Sequence, residues 1–313
     1  NELPWGPSEK LKGVLVDAFG TINRYPDFYK QELSTGLADY AGAKPENIFI
    51  DDGSGTLLQD LVRLVVDDGD EVVFGSPSFA AYAIDVMLAG GVGVKVPLDE
   101  SWTYDLEGVE NAITDKTRMI LLCNPNNPTG TFLTTPSIRE FLSKIADKGI
   151  LVVVDEAYRD FVTAEPFYES SKLVEEFDNV VLLRTFSKAF GMAGTRLGYV
   201  IAAPDVIDAF GAIRQIYSVN VLTQAAATAA VRARDAYAPV VAKIAAERER
   251  VLAELRGLAA EGLPVEVWPS TANFLLVRLP GATRVRERMR DEYSILVRDF
   301  SYAPGLAGCL RVT

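Results

Sequence analysis

The sequence predicts an α/β fold with a large domain, built on a mainly parallel seven-stranded sheet sandwiched by helices, and a smaller α+β domain. Two observations predict this class. From residue 47 to about 201, short apolar runs alternate with helical patterns, as in a parallel sheet wrapped by helices. After Pro204 the pattern changes to long alanine-rich helical stretches followed by isolated strands. We therefore expect a large domain at 23–218, a small domain at 219–313, and an N-terminal arm at 1–22 that joins the small domain.

Each predicted strand of the large sheet is a short run rich in aliphatic side chains, the composition of strands buried on both faces. The seven runs lie at 48–50, 71–74, 92–96, 118–122, 150–154, 180–183 and 198–201. In the second part, helical patterns cover 205–236, 239–258 and the region of 284–291. Strand patterns there cover 265–268, 274–277 and 295–297, with prolines between them as turns.

The composition excludes several classes of partner and chemistry. A net charge of −12 argues against nucleic acid or an anionic membrane as the main partner. Cys123 and Cys309 are too few for a disulfide framework or a zinc site, and the absence of histidine removes the commonest metal ligand. We therefore expect no metal, and acid–base chemistry from Lys, Tyr, Asp or Glu. The sequence also lacks a membrane-helix or signal-peptide pattern, which predicts a cytoplasmic location, and we expect truncation at both ends.

One lysine has an unusual setting. Lys188 lies in a loop of small residues directly after the apolar run at 180–183. In an open α/β sheet, ligands bind in the crevice outside the carboxyl ends of the strands. A lysine there is a candidate for covalent attachment of a cofactor, although most lysines are solvated surface charges.

A glycine-rich segment follows the first predicted strand. Gly53, Ser54 and Gly55 precede a helix whose apolar positions fall on one side. Free backbone amides at a helix N-terminus attract anions, and glycines let a phosphate approach the backbone closely. The alternative is a plain turn with Ser54 as helix N-cap.

Three further strand ends carry candidate site residues. Asn127 lies in the loop NPNNPTG, whose two prolines hold its side-chain amide in place. Asp155 ends a strand, with Tyr158 three residues later, and Phe79 could stack on a planar ring. The alternatives are an Asn-Pro turn, a capping aspartate and a core aromatic. Together with Lys188 and the anion site, these groups meet the requirements of pyridoxal phosphate, an electron sink whose pyridine nitrogen needs a carboxylate partner.

The chain resembles the histidinol-phosphate aminotransferases, a family of fold-type I pyridoxal-phosphate enzymes, over nearly its whole length. The matching strings are NELP at 1–4, RYPD at 24–27, PENI at 45–48, NPNNPTG at 124–130, VDEAY at 154–158, RTFSKAF at 184–190, RLGY at 196–199, ANFLL at 272–276, ILVRD at 295–299 and CLRVT at 309–313. Their order and spacing make a chance match an inadequate explanation.

The resemblance implies a role for each candidate residue. Lys188 binds the cofactor covalently and moves the substrate proton, and Asp155 pairs with the pyridine nitrogen. Asn127 and Tyr158 hold the phenolic oxygen of the cofactor, on which Phe79 stacks. The phosphate is bound by side chains and amides at Gly53, Ser54, Gly55, Thr185, Ser187 and Arg196.

The resemblance also implies substrate contacts and a homodimer. Arg311 and Arg298 bind substrate anions, with an ordinary salt bridge as the alternative for both. Tyr25 reaches into the neighbouring subunit's site, where it contacts cofactor and substrate. The implied substrates are a small amino donor and a 2-oxo acid.

The implied reaction is transamination between histidinol phosphate and 2-oxoglutarate in histidine biosynthesis. Two departures bear on this: Ser54-Gly55-Thr56 replaces a commonly acidic pattern, and Leu3 occupies a position that is often polar. The main alternative is an aminotransferase for aromatic or other amino acids on the same scaffold. A decarboxylase of a phosphorylated amino acid is a second, and a non-catalytic sensor domain, which fits poorly, is a third.

Overall fold

The computed structural model describes residues 1–6 and 8–313, and the predicted fold class is confirmed. The seven strands of the large sheet are β1 (Ile48–Asp51), β2 (Glu71–Ser76), β3 (Val92–Pro97), β4 (Thr117–Cys123), β5 (Leu151–Asp155), β6 (Val180–Thr185) and β7 (Gly198–Ala202). Their order is β1-β7-β6-β5-β4-β2-β3. The neighbours from β6 to β3 run parallel, and β7 is antiparallel to both β1 and β6.

Helices flank this sheet and lead to a second, smaller sheet. The helices are α1 (Glu9–Phe19), α2 (Gln31–Ala41), α3 (Gly53–Val65), α4 (Ala81–Leu88), α5 (Leu106–Asn111), α6 (Thr135–Ile145), α7 (Leu173–Glu176), α8 (Pro204–Ile213), α9 (Val221–Arg232), α10 (Ala238–Ala260) and α11 (Ala282–Tyr293). The second sheet is antiparallel, in the order β10-β11-β9-β8, with β8 (Glu266–Val267), β9 (Leu275–Arg278), β10 (Arg298–Asp299) and β11 (Cys309–Val312).

Burial explains why the central strands are almost wholly aliphatic. Residues 119–122 of β4 and 152–154 of β5 are at most 1% exposed, because helices cover both faces of the sheet. α3 shows the complementary helical pattern, since Leu57, Leu58 and Leu61 are buried on one side. The packed sheet therefore holds its strand ends, and the polar residues on them, in fixed positions.

Two sequence predictions are wrong in detail. The pattern at 205–236 is interrupted between α8 and α9, because Tyr217 has a φ of 61° that a helix cannot accommodate. α9 then starts afresh, with the side chain of Asn220 accepting a hydrogen bond from the amide of Thr223 at 2.9 Å. The strand predicted at 295–297 is displaced along the chain, because the strand in this region, β10, begins at Arg298. Left-handed Ser294 ends α11, and Leu296 after it is exposed.

The division of the chain into 1–22, 23–218 and 219–313 remains a prediction. α1 and α9 pack on each other, and Leu11 and Ala226 belong to the same buried cluster as the large sheet. Residues 1–5, in contrast, line a cavity with parts of the second sheet. These contacts favour counting α1 and α9 with the large unit. In the described residues, no helix has the length and apolarity needed to cross a bilayer.

We expect Leu121→Ala to lower the free energy of unfolding by about 2–5 kcal/mol, because a buried leucine loses its packing and leaves a cavity. Leu121 lies in β4 and is 1% exposed. Leu88→Ala is the matched control, because Leu88 is 70% exposed in α4. Urea unfolding of both variants measures the difference, and similar losses would contradict the burial assigned to β4.

Candidate active site

Three neighbouring strands end at a small cavity. Asp155 at the end of β5 lies in register with Cys123 of β4 and with Leu183 of β6. These residues line a cavity of 210 Å³ at the carboxyl edge of the parallel strands. Ten of the predicted site residues line the same cavity, namely Ser54, Gly55, Phe79, Asn127, Asp155, Tyr158, Thr185, Ser187, Lys188 and Arg196.

Lys188 is held in a tight loop after β6. The amide of Gly191 donates to the carbonyl of Lys188 at 3.0 Å, and the amide of Met192 donates to the carbonyl of Phe186 at 3.1 Å. The Lys188 ammonium donates to the backbone carbonyl of Asn1 at 3.1 Å. Burial lowers the pKa of Lys188, and the nearby Arg311 guanidinium lowers it further. A larger fraction of this amine is therefore unprotonated, and nucleophilic, than of an exposed lysine.

Asp155 is a buried carboxylate. One oxygen accepts from the Tyr82 hydroxyl at 2.9 Å, and the other accepts from the amide of Ala157 at 3.2 Å. Burial raises the pKa of Asp155 to about 6, although both hydrogen bonds oppose the shift. The turn contact with Ala157 fits a capping aspartate as well. This hydrogen bond does not offset the cost of burying the negative charge, because the pKa remains raised. The carboxylate therefore still favours a cationic partner.

The glycine-rich segment at 53–55 meets Arg196 at the start of α3. We call this candidate anion site the cup. Gly53 has a φ of 81°, and a Cβ there would lie 2.6 Å from Nη2 of Arg196. A Cβ at Gly198 would lie 2.4 Å from the amide nitrogen of Ser54. Both glycines thus allow the guanidinium and the helix amides to converge. α3 begins at Gly53, after Asp52, so Ser54 is not the N-cap.

The cup has further donors and an arginine without a carboxylate partner. Beside the cup, the hydroxyl of Thr185 donates a hydrogen bond to the hydroxyl of Ser187 at 3.0 Å. Arg196 is exposed, and in the part of the chain that the structure describes its one hydrogen bond goes to the carbonyl of Ala193, at 3.0 Å. Helix amides, hydroxyls and a guanidinium together suit a phosphate group.

Asn127, Tyr158 and Phe79 form the remaining walls. The Asn127 side-chain oxygen accepts from Arg311 at 2.5 Å, and the Tyr158 hydroxyl accepts from the side chain of Asn1 at 2.8 Å. Burial raises the pKa of Tyr158 to about 12, which keeps its hydroxyl a donor. Phe79 contacts Tyr82 edge-on, with ring centroids 5.6 Å apart, and remains 38% exposed.

The two arginines predicted for substrate binding are neighbours on the small sheet. Arg298 of β10 lies in register with Arg311 of β11, and both line a cavity of 780 Å³ together with residues 1–5. Arg311 is half-buried, and its Nε has no hydrogen-bond partner in residues 1–6 and 8–313. Within the described residues neither arginine forms a salt bridge. The alternative that each forms an ordinary salt bridge therefore gains no support.

Tyr25 lies outside both cavities. Its ring stacks on Tyr217 with centroids 4.6 Å apart, and its side chain is 81% exposed. Gly53 also does not line the small cavity, although it shapes the cup through its contact with Arg196. In residues 1–6 and 8–313 no cluster of three His, Cys, Asp or Glu side chains could hold a metal.

Two residues that contact the site, Asn1 and Tyr82, were not among the predicted site residues. Asn1 reaches both Lys188 and Tyr158, and Tyr82 reaches Asp155. For Asn1, the sequence signal was its place in the matching string NELP at 1–4. For Tyr82, it was the position three residues after Phe79 in the same segment. Neither signal specifies a partner distant in sequence.

Comparisons with known proteins identify the family of the chain. The family model for aminotransferase class I and II matches residues 1–313. An aromatic amino acid aminotransferase from Mycobacteroides abscessus is 40% identical over 300 residues, 96% of this chain and 84% of the relative. One from Thermobifida fusca is 40% identical over 302 residues, 96% of this chain and 82% of the relative.

A solved structure extends the agreement to the cofactor. The histidinol-phosphate aminotransferase from Sinorhizobium meliloti in complex with pyridoxal-5'-phosphate has a TM-score of 0.89 and 30% identity, over 100% of this chain and 84% of that chain. The residues of the small cavity fit this cofactor, because a buried carboxylate, an amine of lowered pKa and a cup shaped by two close glycines surround one space. The chain therefore belongs to the class I and II aminotransferases and is a pyridoxal-phosphate-dependent aminotransferase.

Proposed function

We propose that the protein transfers the amino group of an aromatic amino acid to a 2-oxo acid such as 2-oxoglutarate. The observation that carries this proposal is the match, over 96% of the chain, to relatives named aromatic amino acid aminotransferases. This match favours an aromatic amino acid as substrate, which was the alternative drawn from the sequence, over histidinol phosphate, which was the first expectation. Histidinol phosphate remains the second candidate because of the structural similarity to an enzyme of that name.

The apolar residue Leu3 supports the aromatic substrate. A Cβ on Gly191, in the loop after Lys188, would lie 3.1 Å from Leu3 Cδ1, so the leucine packs against that loop. Leu3 also lines the larger cavity with Arg311. An apolar side chain there favours a hydrocarbon ring over a polar group. Arg311 itself suits either the carboxylate of an amino acid or a phosphate, and does not discriminate between the candidates.

The proposed roles of the chain's residues follow from these positions. When bound, pyridoxal phosphate supplies an electron sink for the electrons of the broken bond at the substrate α-carbon. Lys188 would take the proton from that carbon and deliver it to the cofactor carbon that receives the amino group, because burial lowers the pKa of its amine. Asp155 orients the ring through its carboxylate. The cup at Ser54, Gly55 and Arg196 holds the phosphate.

Asn127, Tyr158 and Arg311 complete the proposed set. The hydroxyl of Tyr158 and the amide of Asn127 donate to the phenolic oxygen, because both line the cavity beside Lys188. The contact between Arg311 and Asn127 joins this wall to the substrate carboxylate. Arg298, next to Arg311 in the sheet, adds positive charge at the entrance.

We also propose a homodimer in which Tyr25 enters the partner's site. Large apolar side chains that are more than 40% exposed recur in two segments of the chain, namely Val16, Phe19, Ile22, Tyr25, Tyr29, Ile213, Ile216 and Tyr217. Stacking of Tyr25 on Tyr217 connects the two segments. Apolar side chains exposed in this density are typical of a protein interface. The cytoplasmic location remains a prediction from the sequence.

We expect the purified protein to be yellow, with a visible absorbance that Lys188→Ala removes, because that amine binds the cofactor covalently. Lys144→Ala is the matched control, since Lys144 lies in α6, away from the cavity lining, and is half exposed in an ion pair. Absorbance spectra are compared after pyridoxal phosphate has been added and the unbound excess has been removed by gel filtration. A visible band of wild-type intensity in Lys188→Ala would refute the role assigned to this lysine.

With 2-oxoglutarate as acceptor, we expect kcat/KM for phenylalanine to exceed that for histidinol phosphate by roughly tenfold or more. We expect Leu3→Asn to reduce this ratio and Leu88→Asn, outside both cavities, to leave it unchanged. Threonine phosphate is included in the panel, with glutamate, keto product and carbon dioxide as readouts. Preference for histidinol phosphate would overturn the aromatic proposal, and release of carbon dioxide as the main product would overturn transamination.

A further inference from the structure

A buried ion pair lies directly behind the cofactor cavity. Glu156 follows Asp155 at the end of β5, and Arg184 precedes Thr185 at the end of β6. Asp155 and Thr185 line the cavity, so their neighbours Glu156 and Arg184 project from the opposite face of the sheet. There Arg184 Nε donates to Glu156 Oε2 at 2.7 Å. The pair is therefore next in sequence to two cavity residues without touching the cavity.

The pair is deeply buried and incompletely satisfied. Glu156 and Arg184 are 1% and 2% exposed. Nη2 of Arg184 donates to the hydroxyls of Ser170 and Ser171 at 3.1 and 3.3 Å. The Arg184 guanidinium also lies 4.3 Å from the centre of the Phe167 ring. Among the described residues, Arg184 Nη1 and Glu156 Oε1 have no hydrogen-bond partner, although Glu156 Oε1 lies 4.0 Å from Nε of the buried Arg159. A well-packed apolar pair would be at least as stable in this position, so stability alone does not explain the charges.

The backbone joins this pair to Asp155. The amide of Glu156 donates to the carbonyl of Leu183 at 2.8 Å, which extends the pairing of β5 and β6 beyond Asp155. The amide of Ala157, on the other side of Glu156, donates to the Asp155 carboxylate at 3.2 Å. A shift of the backbone at Glu156 would therefore disturb the Ala157 hydrogen bond that orients the Asp155 carboxylate.

We propose that Glu156 and Arg184 are a positioning pair that fixes the orientation of the Asp155 carboxylate and sets its charge through the balance of their own charges. This inference rests on the proposed role of Asp155 as partner of the cofactor's pyridine nitrogen. Glu156 disfavours ionisation of Asp155, and the positive charge of Arg184 bound to it weakens that effect. Removing one member leaves the charge of the other less compensated behind Asp155, since the remaining contact of Glu156 with a cation is the 4.0 Å approach of Arg159 Nε. The sign of the remaining charge determines the direction of the change.

The groups that face Asp155 come from four elements. Tyr82 of α4 and Cys123 of β4 lie against it, Lys188 faces it from the loop after β6, and Glu156 continues its own strand. Burial raises the pKa of Asp155 to about 6; Glu156 also raises it, and Lys188 lowers it. Burial also raises the pKa values of the Cys123 thiol and the Tyr82 hydroxyl well above neutral, so neither titrates near that of Asp155.

The test is the pH dependence of pyridoxamine phosphate binding to the apoprotein. The probe forms no covalent bond to Lys188, and its own titrations are the same for every variant. Its affinity is expected to fall as acid neutralises Asp155, with a break near the pKa of about 6. Glu156→Gln leaves Arg184 uncompensated and should move this break down by roughly one pH unit. Arg184→Gln leaves the Glu156 carboxylate and should move it up.

The double variant and a surface control separate charge from damage. Glu156→Gln with Arg184→Gln removes both charges and should return the break toward its wild-type position. Glu176→Gln, which breaks the partly exposed bond from Arg139 Nε to Glu176 at 2.6 Å, should leave it unchanged. Each single variant tests the proposal by itself, so misfolding of one leaves the other decisive.

The outcomes distinguish the inference from the site assignment. Opposite shifts in the two single variants support the positioning pair, and shifts in the same direction, or none, overturn it. Asp155→Asn is measured alongside. If wild type shows no acid break that Asp155→Asn removes, the role of Asp155 itself is wrong.

Discussion

The site depends on one constraint, a carboxylate buried at the end of the central strand β5. Asp155 is 7% exposed and receives two hydrogen bonds, from Tyr82 and from the amide of Ala157. A buried anion without a cation partner is costly, and the protein responds by raising the pKa of this group. A cofactor with a protonated ring nitrogen removes that cost. In its proposed role, Asp155 is an acceptor whose buried charge the bound cofactor would balance.

The other parts of the site are arranged around this carboxylate. β4 and β6 lie on either side of β5, so the loops that carry Asn127 and Lys188 leave the sheet within reach of Asp155. The antiparallel β7 brings Gly198 against the start of α3, where the cup can hold an anion. The distance from the carboxylate to the cup is thereby fixed by a rigid sheet. The cavity proposed for the substrate, in contrast, is lined by parts of the small sheet and by residues 1–5, which lie outside this framework.

Local sequence patterns were sufficient for much of the site. Lys188, Asp155 and Asn127 could be predicted because each follows a strand whose apolar composition is unmistakable, and parallel strand ends meet at one edge. The contacts between Lys188 and Asn1, between Tyr82 and Asp155, and between Arg311 and Asn127 join residues 187, 73 and 184 positions apart. No pattern in the sequence specifies such pairs. The predicted strand at 295–297 was wrong for a related reason, since a left-handed residue at Ser294, not hydropathy, determines where the chain extends.

The most direct measurement is the pH dependence of thermal unfolding for the apoprotein and for Asp155→Asn. The folded pKa of Asp155, about 6, lies above its ordinary value of 3.8, so the folded state binds this proton more tightly. That contribution is complete below pH 3.8 and is lost as the pH rises through 6. It amounts to about 3 kcal/mol at most, from 1.4 kcal/mol per pKa unit. We predict that wild type loses stability relative to Asp155→Asn over this interval, and that pyridoxal phosphate restores it in wild type alone. Parallel curves for the two proteins would contradict the account.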